Sequence, residues 1–368
     1  MSDPVSFSPF QEHAAAVNIP LSLVPALSDY KGPGGTPGDT PPLGLRGAHQ
    51  ATNAALAVSL AGAFEGWAVE HASDLPSGAA PAGAASRVTA LAKGALPAEY
   101  ASGLETCAWH GRAEVVHDGG AASAATSALS FYLDGAHTPE SMETCAHWFA
   151  SEVKAGGVGA TGAAAAGNGA PATTTTPTTS DVRLLLFNCM HERDPRRLLT
   201  PLTDTLRARG APLAGALFVP PDSSYSQLGP AEEAKVDLSW QHSLQAVWAD
   251  LASAGAAAAA TAAAAGQRGG GGGGAGPSPC LPPLPPLPPS PTRAESGAAS
   301  ARAAATTAAA REAAAGAVSP SVKSAIEWLR SASQARPGMR LRVLVTGSLY
   351  LVGDVLRHLG RAEEGGGE

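Results

Sequence analysis

One stretch of this chain reads Phe131-Tyr132-Leu133-Asp134-Gly135-Ala136-His137-Thr138-Pro139. An apolar run stops there at a carboxylate and a glycine, which predicts a buried strand over 131–134 and a tight turn after it. Thr138 suits a helix N-cap and Pro139 the first helical position, so a helix is predicted over 139–153. The stretch therefore predicts a strand, a turn and a helix in direct succession, as in a parallel βαβ unit.

The alternation of apolar runs and helical patterns continues along the chain. Further strands are predicted at 104–116, 182–188, 214–219 and 341–346, and further helices at 195–209, 240–251, 322–330 and 350–359. The pair Asp194-Pro195 repeats the combination of an N-cap and a proline. Because strands that alternate with helices pair in parallel, the sequence predicts an α/β fold with a Rossmann-like, mainly parallel sheet.

Low-complexity composition interrupts this pattern. The chain has 368 residues, of which 43 are glycine and 31 proline. Four stretches consist mainly of Ala, Gly, Pro, Ser and Thr, and we expect them to be flexible insertions because they offer few large apolar side chains for a core. They are residues 31–42, 73–101, 155–180 and 252–319.

Charge and hydropathy exclude several classes of function. The formal net charge is −7, with both signs spread along the chain, so no basic stripe favours nucleic acid or an anionic membrane. No apolar run reaches the roughly 18 residues that a membrane-spanning helix needs. These features predict a soluble protein with a small-molecule substrate, no nucleic-acid partner and no membrane span.

Two candidate site residues follow from the opening stretch. Asp134 and His137 come after a strand and before a helix N-terminus, at the edge of a parallel sheet where α/β folds bind ligands. A carboxylate there suits a ribose hydroxyl, and an imidazole suits a phosphate or a carboxylate substrate. The alternative is that Asp134 only caps the turn and His137 is an ordinary surface residue.

Ser348 follows the last predicted strand in the run Thr346-Gly347-Ser348, which directs its hydroxyl to the same sheet edge. It is a candidate ligand for the substrate, or simply a helix N-cap. Arg112, predicted on the strand 104–116, has a planar guanidinium that suits phosphate oxygens; a solvated strand arginine is the alternative.

Gln50 and Asn53 stand three residues apart on a predicted helix and hence on one face. Amide side chains both donate and accept hydrogen bonds, as a purine edge requires. Taken alone, the two would be no more than polar residues on a helix.

Three blocks of residues resemble a known family when taken in order. They are Leu45-Arg46-Gly47-Ala48-His49-Gln50-Ala51-Thr52-Asn53-Ala54-Ala55-Leu56-Ala57; Trp109-His110-Gly111-Arg112-Ala113-Glu114 with the turn Asp134-Gly135-Ala136-His137-Thr138; and Leu344-Val345-Thr346-Gly347-Ser348-Leu349-Tyr350-Leu351-Val352-Gly353. Shorter matching segments lie between them, at 186–188, 193–195 and 240–244. Together these blocks are similar to the folylpolyglutamate synthases of the Mur ligase superfamily.

The resemblance implies a division of the chain and roles for the candidate residues. Residues 1–102 would be the end of a central ATPase domain, and residues 103–368 a C-terminal α/β domain that binds glutamate, with insertions at 155–180 and 252–319. The implied ATP-binding residues are Arg112, Asp134 and Asn53, and less firmly Gln50 and His49. The implied glutamate-binding residues are His137 and Ser348. Tyr350 departs from the family, which often has histidine at that position.

The implied activity is the ATP-dependent addition of glutamate to the γ-carboxylate of folate or its polyglutamates, through an acyl phosphate. Such a reaction normally needs a glycine-rich phosphate loop with lysine, and Mg²⁺. The chain contains no GxxxxGK[ST] motif. We therefore expect the phosphate loop and the Mg²⁺ ligands to lie in a missing upstream segment, with Met1 an internal start, and we assign no catalytic residue and no metal ligand within this chain.

Other expectations follow from the resemblance. The partners would be ATP, L-glutamate and a folate polyglutamate, the chain a monomer, and its location cytoplasmic, or mitochondrial or plastid if a missing N-terminus carries a transit peptide. The alternative is a non-catalytic α/β binding or regulatory chain derived from such a ligase.

Overall fold

The structure is a computed structural model that describes residues 8–32, 41–76, 79, 81–121, 123, 126–157, 180–222, 236–266, 316–336 and 338–361. The chain divides into two compact units, Met1–Ala108 and Trp109–Glu368.

The first unit is helical where the structure describes it. Its helices are α1 (Ser8–Ala16), α2 (Gln50–Glu70), α3 (Ala84–Ala92) and α4 (Ala98–Thr106), with a 3-10 turn at Leu27–Asp29. Helix α2 packs its buried alanines and Val58 against a small apolar core. That core consists of Leu27, Tyr30, Ala54, Ala55, Val58, Leu96 and Ala101.

The prediction that residues 73–101 form a flexible insertion is wrong. This stretch contains α3 and the start of α4, and it supplies Leu96 and Ala101 to the core. Its backbone is also tied to the segment before α2, because Lys31 donates to the carbonyl oxygen of Gly94 at 2.8 Å. Alanine favours helices, so a composition that resembled a linker encodes a pair of short helices. Within the stretch 31–42, Lys31 is likewise ordered, and residues 33–40 lie outside the described part.

The second unit contains the sheet. Its strands are β1 (Glu114–His117), β2 (Leu129–Leu133), β3 (Ser180–Phe187), β4 (Gly215–Phe218), β5 (Ala317–Val318) and β6 (Met339–Thr346). Its helices are α5 (Pro139–Gly157), α6 (Pro195–Ala208), α7 (Ser239–Gly266), α8 (Val322–Gln334) and α9 (Leu349–His358).

The strand order within the described sheet is β1-β2-β6-β3-β4-β5. Strand β1 is antiparallel to β2, and every other neighbouring pair is parallel. The prediction of a mainly parallel α/β sheet is confirmed. From β2 the chain continues to β3, β4 and β5 and then returns to β6, which lies between β2 and β3. The helices that follow β2 and β6 pack on opposite faces of the sheet. Open α/β sheets bind ligands at the carboxyl ends of neighbouring strands whose connections go to opposite faces.

Helices cover both faces of the sheet, which explains its nearly continuous apolar strands. Helices α5, α6 and α7 pack on one face, where the core includes Tyr132, Phe149, Leu185, Leu199, Phe218, Leu344 and Trp248. Helices α8 and α9 pack on the other face, against Phe131, Leu184, Ile326, Leu329, Val343, Val345 and Val355.

The predicted helix starts are confirmed in their atomic detail. The Asp194 carboxylate accepts a hydrogen bond from the Arg196 amide at 2.9 Å at the start of α6. Thr138 Oγ1 accepts one from the Ser141 amide at 3.2 Å at the start of α5. These side chains satisfy amides that have no partner within the helix.

The predicted strand 104–116 is wrong over most of its length. Residues up to Thr106 end α4, and the strand begins only at Glu114. Between them Gly111 and Ala113 have φ values of +75° and +47°, and this left-handed backbone prevents an extended chain. Arg112 therefore lies in a turn before β1 and not on a strand.

The stretches 155–180 and 252–319, predicted to be flexible insertions, both begin and end with residues that belong to helices or strands. Of residues 155–180, the first three end α5 and Ser180 begins β3; residues 158–179 lie outside the described part. Of residues 252–319, those up to Gly266 continue α7, and Ala317–Val318 form β5. Residues 267–315 lie outside the described part. Among the described helices, none combines the length and hydropathy needed to cross a bilayer.

Candidate functional site

Asp134 follows β2 directly and is 6% exposed. Its Oδ2 accepts a hydrogen bond from the Ala113 amide at 3.0 Å, and its Oδ1 accepts one from the Ala136 amide at 3.0 Å. The Asp134 amide donates to the carbonyl oxygen of Val345 at 3.1 Å, which extends the β2–β6 ladder by one residue. The carboxylate thus lies at the predicted sheet edge, with both oxygens bound to main-chain amides.

Arg112 lies in the turn that Asp134 holds. Its amide donates to the carbonyl oxygen of Trp109 at 3.1 Å, and its side chain is exposed. The turn is fixed at Gly111, whose carbonyl oxygen accepts from the Gly135 amide at 3.1 Å. The turn that carries Arg112 is therefore bound to Asp134 through the Ala113 amide and to the next residue, Gly135, through the Gly111 carbonyl oxygen.

His137 is half-buried in the loop between β2 and α5. Its Nδ1 lies 2.8 Å from the carbonyl oxygen of Gly135. Because a carbonyl oxygen only accepts, Nδ1 carries the proton, and in the neutral ring Nε2 is a hydrogen-bond acceptor. Among the described residues Nε2 has no hydrogen-bond partner, so it is free to contact a ligand.

Ser348 is the N-cap residue of α9 and is 5% exposed. Its hydroxyl makes no capping hydrogen bond within the described chain. The preceding Gly347 has φ +97° and donates from its amide to the carbonyl oxygen of Ala136 at 2.9 Å. The loops after β2 and β6 are thereby joined, which brings Ser348 to the edge that carries Asp134 and His137. Tyr350, in the first turn of α9, is 61% exposed.

The loop after β3 reaches the same edge, and none of its residues is among the predicted site residues. Arg193 Nη1 donates to the carbonyl oxygen of His137 at 2.7 Å. Asn188 is buried, and its Oδ1 accepts from Gln241 Nε2 at 3.1 Å. Gln241 Oε1 is buried without a partner among the described atoms. A polar residue directly after an apolar strand was a signal for Asn188, as it was for Asp134.

The remaining predicted site residues lie in the first unit, at the start of α2. Asn53 Nδ2 donates to Gln50 Oε1 at 2.9 Å, which confirms that the two amides share a face. Gln50 is 3% exposed. His49 is the N-cap residue, and its ring lies over Gly47, where a Cβ would come within 2.6 Å of Cε1. The two groups of candidate residues therefore belong to separate units.

The buried thiols near the sheet edge are unsuited to nucleophilic chemistry. Burial raises the pKa of the Cys189 thiol to about 12 and that of the Cys145 thiol well above its usual range. Since the thiolate is the reactive form, both thiols are structural. Within the described residues there is no group of three or more His, Cys, Asp or Glu side chains that could hold a metal ion. No chemical step is therefore assigned to a metal held by this part of the chain.

The chain is similar in sequence to known proteins. No protein-family model matches the chain. A folylpolyglutamate synthase of Arabidopsis thaliana is 34% identical over 368 residues, which covers 95% of this chain and 52% of the relative. A second Arabidopsis folylpolyglutamate synthase is 35% identical over 323 residues, covering 86% of this chain and 46% of the relative.

The chain is a homologue of the folylpolyglutamate synthases. The human mitochondrial folylpolyglutamate synthase is 32% identical over 192 residues, covering 51% of this chain and 27% of its own length. The chain spans about half the length of the two Arabidopsis folylpolyglutamate synthases that it matches. Crystal structures of the Mycobacterium tuberculosis folylpolyglutamate synthase complexed with ADP and AMPPCP overlap this chain with 13% identity and a TM-score of 0.33, covering 76% of this chain and 39% of that one.

Proposed function

We propose that this chain is part of an ATP-dependent ligase that adds glutamate to the γ-carboxylate of tetrahydrofolate or its polyglutamates. The observation that carries the proposal is the joining of three loops at one sheet edge, two of which carry His137 and Ser348. The turn with Arg112 is bound to the first of them, because the Gly135 amide donates to the carbonyl oxygen of Gly111. The loop after β2 bonds to the loop after β6 through Gly347, and to the loop after β3 through Arg193. The homology to folylpolyglutamate synthases supports the choice of substrates.

The reaction has two steps in this proposal. ATP transfers its γ-phosphoryl group to the folate γ-carboxylate, which gives an acyl phosphate and ADP. The glutamate amine then attacks the acyl carbon through a tetrahedral intermediate and expels phosphate. Mg²⁺, when bound, would neutralise the phosphate charges in the first step.

His137 and Ser348 hold the incoming glutamate in this scheme. Neutral His137 offers the lone pair of Nε2, so it accepts a hydrogen bond from the glutamate amino group and orients the nitrogen lone pair for attack. The Ser348 hydroxyl donates to a glutamate carboxylate, next to the N-terminus of α9, whose amides favour an anion.

In the second unit the proposed ATP-binding residues are Arg112 and Asp134. In the first unit the proposed nucleotide-binding residues are Asn53, Gln50 and His49. The guanidinium of Arg112 is exposed and suits bidentate contact with phosphate oxygens. The amides of Asn53 and Gln50 suit hydrogen bonds to a purine edge.

ATP binding tests the proposed nucleotide-binding role of Arg112. ATP affinity is measured by calorimetry on the purified chain and on Arg112→Ala, with Arg209→Ala as a control for the loss of one exposed arginine. We expect the wild-type chain to bind ATP weakly. Arg112→Ala should lower the affinity further, and Arg209→Ala should leave it unchanged. Equal ATP affinity in all three proteins, with unchanged folding, would contradict the assignment.

A second candidate function is a non-catalytic α/β binding chain derived from such a ligase. In this candidate the sheet edge with His137 and Ser348 binds a ligand, and no phosphoryl transfer takes place. Incorporation of labelled glutamate into tetrahydrofolate distinguishes the two, measured for the chain alone and mixed with the part of an Arabidopsis relative that the alignment leaves uncovered. We expect no incorporation by the chain alone, and folate-dependent incorporation by the mixture supports the ligase.

We also propose that the chain is a monomer, which light scattering after size exclusion tests, and that it works in the cytoplasm or in an organelle. The human relative carries "mitochondrial" in its name.

A further inference from the structure

Asn188 directly follows β3 and lies beside the loop that carries Ser348. Phe187, the last residue of β3, is paired with Thr346, the last residue of β6. The main-chain carbonyl oxygen of Asn188 lies so close to Gly347 that a Cβ on this glycine would be 2.4 Å from it. Asn188 therefore packs against the residue that precedes Ser348, at the sheet edge where the proposed glutamate site lies.

The start of α7 fixes the orientation of the Asn188 side-chain amide. Asn188 Oδ1 accepts a hydrogen bond from Gln241 Nε2 at 3.1 Å, and the two residues are only 5% and 3% exposed. The oxygen and nitrogen of a planar carboxamide diverge from one carbon atom, so Nδ2 is directed away from Gln241. Nδ2 is a donor, and among the described residues it has no hydrogen-bond partner.

Gln241 is itself held in place, because the first turn of α7 is bound to the loop after β3. The neighbouring Trp240 donates from Nε1 to the carbonyl oxygen of Cys189 at 2.7 Å, and its ring stacks on that of His191 with 4.4 Å between the ring centres. Gln241 Oε1 is buried without a partner among the described atoms, which costs free energy of folding. An amide at position 241 is thus poorly explained by stability, whereas its hydrogen bond orients Asn188.

We propose that Asn188 donates from Nδ2 to the same glutamate carboxylate as Ser348, and that Gln241 is a positioning residue that sets the direction of this amide. The inference rests on the proposed function, in which Ser348 holds that carboxylate. A carboxylate has two oxygens with about four lone-pair sites, so one hydroxyl leaves room for a second donor. Donors on two different loops fix the carboxylate, and with it the direction of the glutamate amine.

Side-chain amide signals in NMR spectra report the proposed contact directly. The chain has four asparagines, Asn18, Asn53, Asn168 and Asn188, so labelling asparagine alone with ¹⁵N gives a spectrum in which each side-chain amide can be assigned. Asn188→Ser identifies the signals of Asn188 by their loss. We expect titration of the wild-type chain with L-glutamate to shift the Asn188 side-chain signals and to leave those of Asn18 unchanged.

Calorimetry with L-glutamate separates the roles of the two amides. Asn188→Ala and Gln241→Met should each weaken binding on the order of tenfold. The double variant should be no weaker than Asn188→Ala, because Gln241 acts through Asn188. The matched control is Gln245→Met, one turn later in α7, where Nε2 donates to the carbonyl oxygen of Gly316 at 2.9 Å. Gln245→Met should leave the affinity for glutamate unchanged.

Asn188→Asp tests which end of the amide faces the ligand. A carboxylate at position 188 should weaken glutamate binding more than alanine does, because it repels the glutamate carboxylate. Retained affinity in Asn188→Asp would overturn the donor role of Nδ2, and additive losses in the double variant would overturn the positioning role of Gln241.

The titration of the wild-type chain remains decisive if a variant fails to fold. Calorimetric binding of glutamate without a shift of the Asn188 signals would overturn the inference and leave the proposed glutamate site standing. No binding of glutamate by the wild-type chain would overturn both. ATP affinity, measured on the same samples, should be equal in all these variants, which keeps a failure at this edge distinct from a failure of the proposed ATP site.

Discussion

Arg193 Nη1 donates a hydrogen bond of 2.7 Å to the main-chain carbonyl oxygen of His137, although the two residues are 56 positions apart. This contact fixes the loop after β2 to the loop after β3. The His137 ring, which hydrogen-bonds to its own loop through Gly135, is positioned by the same contact. The first prediction follows from this relationship.

Arg193→Met should raise the KM for glutamate, on the order of tenfold, and leave the KM for ATP nearly unchanged, because a charge-assisted hydrogen bond that orients His137 is lost. Steady-state kinetics on a ligating form of the chain measure both constants. Arg196→Met is the matched control on the same segment, since the Arg196 guanidinium pairs with the exposed Asp250 at 2.8 Å and, within the described residues, with no other carboxylate. Equal effects of the two substitutions on the KM for glutamate would refute the role of Arg193.

Ser348→Ala should raise the KM for glutamate with little loss of stability, because the Ser348 hydroxyl makes no capping hydrogen bond among the described residues. Ser321→Ala is the control. The Ser321 hydroxyl accepts from the Ser324 amide at 3.1 Å at the start of α8, and its loss should cost about 1 kcal/mol of stability without affecting glutamate. The unfolding temperature and the KM for glutamate, measured for both variants, distinguish a glutamate-binding hydroxyl from a helix cap. A stability loss in Ser348→Ala with an unchanged KM would show that Ser348 is an ordinary cap.

Gly347→Ala should destabilise the second unit by about 2–4 kcal/mol. Position 347 has φ +97°, and an added Cβ would lie 2.4 Å from the carbonyl oxygen of Asn188, a main-chain atom that cannot move aside easily. The comparison is Gly353→Ala in α9, where a Cβ has no neighbour within 4 Å; this change should stabilise by about 0.5–1 kcal/mol. Urea unfolding followed by tryptophan fluorescence gives both values, which should have opposite signs.

The ion pair between Glu65 and Arg87 should make the stability of the first unit depend on pH. Arg87 Nε donates to Glu65 Oε1 at 2.9 Å, and this hydrogen bond holds the pKa of the largely buried Glu65 carboxyl below its usual range. Since the folded-state pKa is lowered, the pair stabilises the fold above the unfolded value of about 4.3, and the stabilisation disappears as the pH falls through the folded value.

Arg87→Met should therefore lower the unfolding temperature most at pH 7, and the difference from wild type should narrow between pH 5 and pH 3. Circular dichroism across this range measures it. Lys93→Met removes one exposed positive charge from the same unit and should show no such narrowing. A difference that stays constant with pH would mean that Arg87 stabilises the unit by packing alone.

Local sequence patterns predicted much of the fold. The succession from Phe131 to Pro139 predicted a strand, a turn and a proline-started helix, and the structure has β2 ending at Leu133 and α5 beginning at Pro139. The α/β alternation predicted a mainly parallel sheet. Local patterns succeed here because periodicity and capping act between residues close in sequence.

Local patterns failed where composition or backbone conformation misled them. Residues 84–101 belong to a stretch that resembled a linker, yet they form α3 and the start of α4, because burial beside Leu27 and the pair Glu65–Arg87 stabilise them. The left-handed backbone at Ala113 ended the predicted strand, and nothing in the local sequence signals it.

The sequence by itself determined the α/β class, the order of most elements and the placement of Asp134, His137 and Ser348 after strands. Only the tertiary structure decided that β6 lies between β2 and β3, so that the loops after these strands meet. It also decided that the Asp134 carboxylate binds the Ala113 and Ala136 amides. The physical reason is that sheet order and the choice of hydrogen-bond partner depend on groups far apart along the chain, whose meeting no local periodicity encodes.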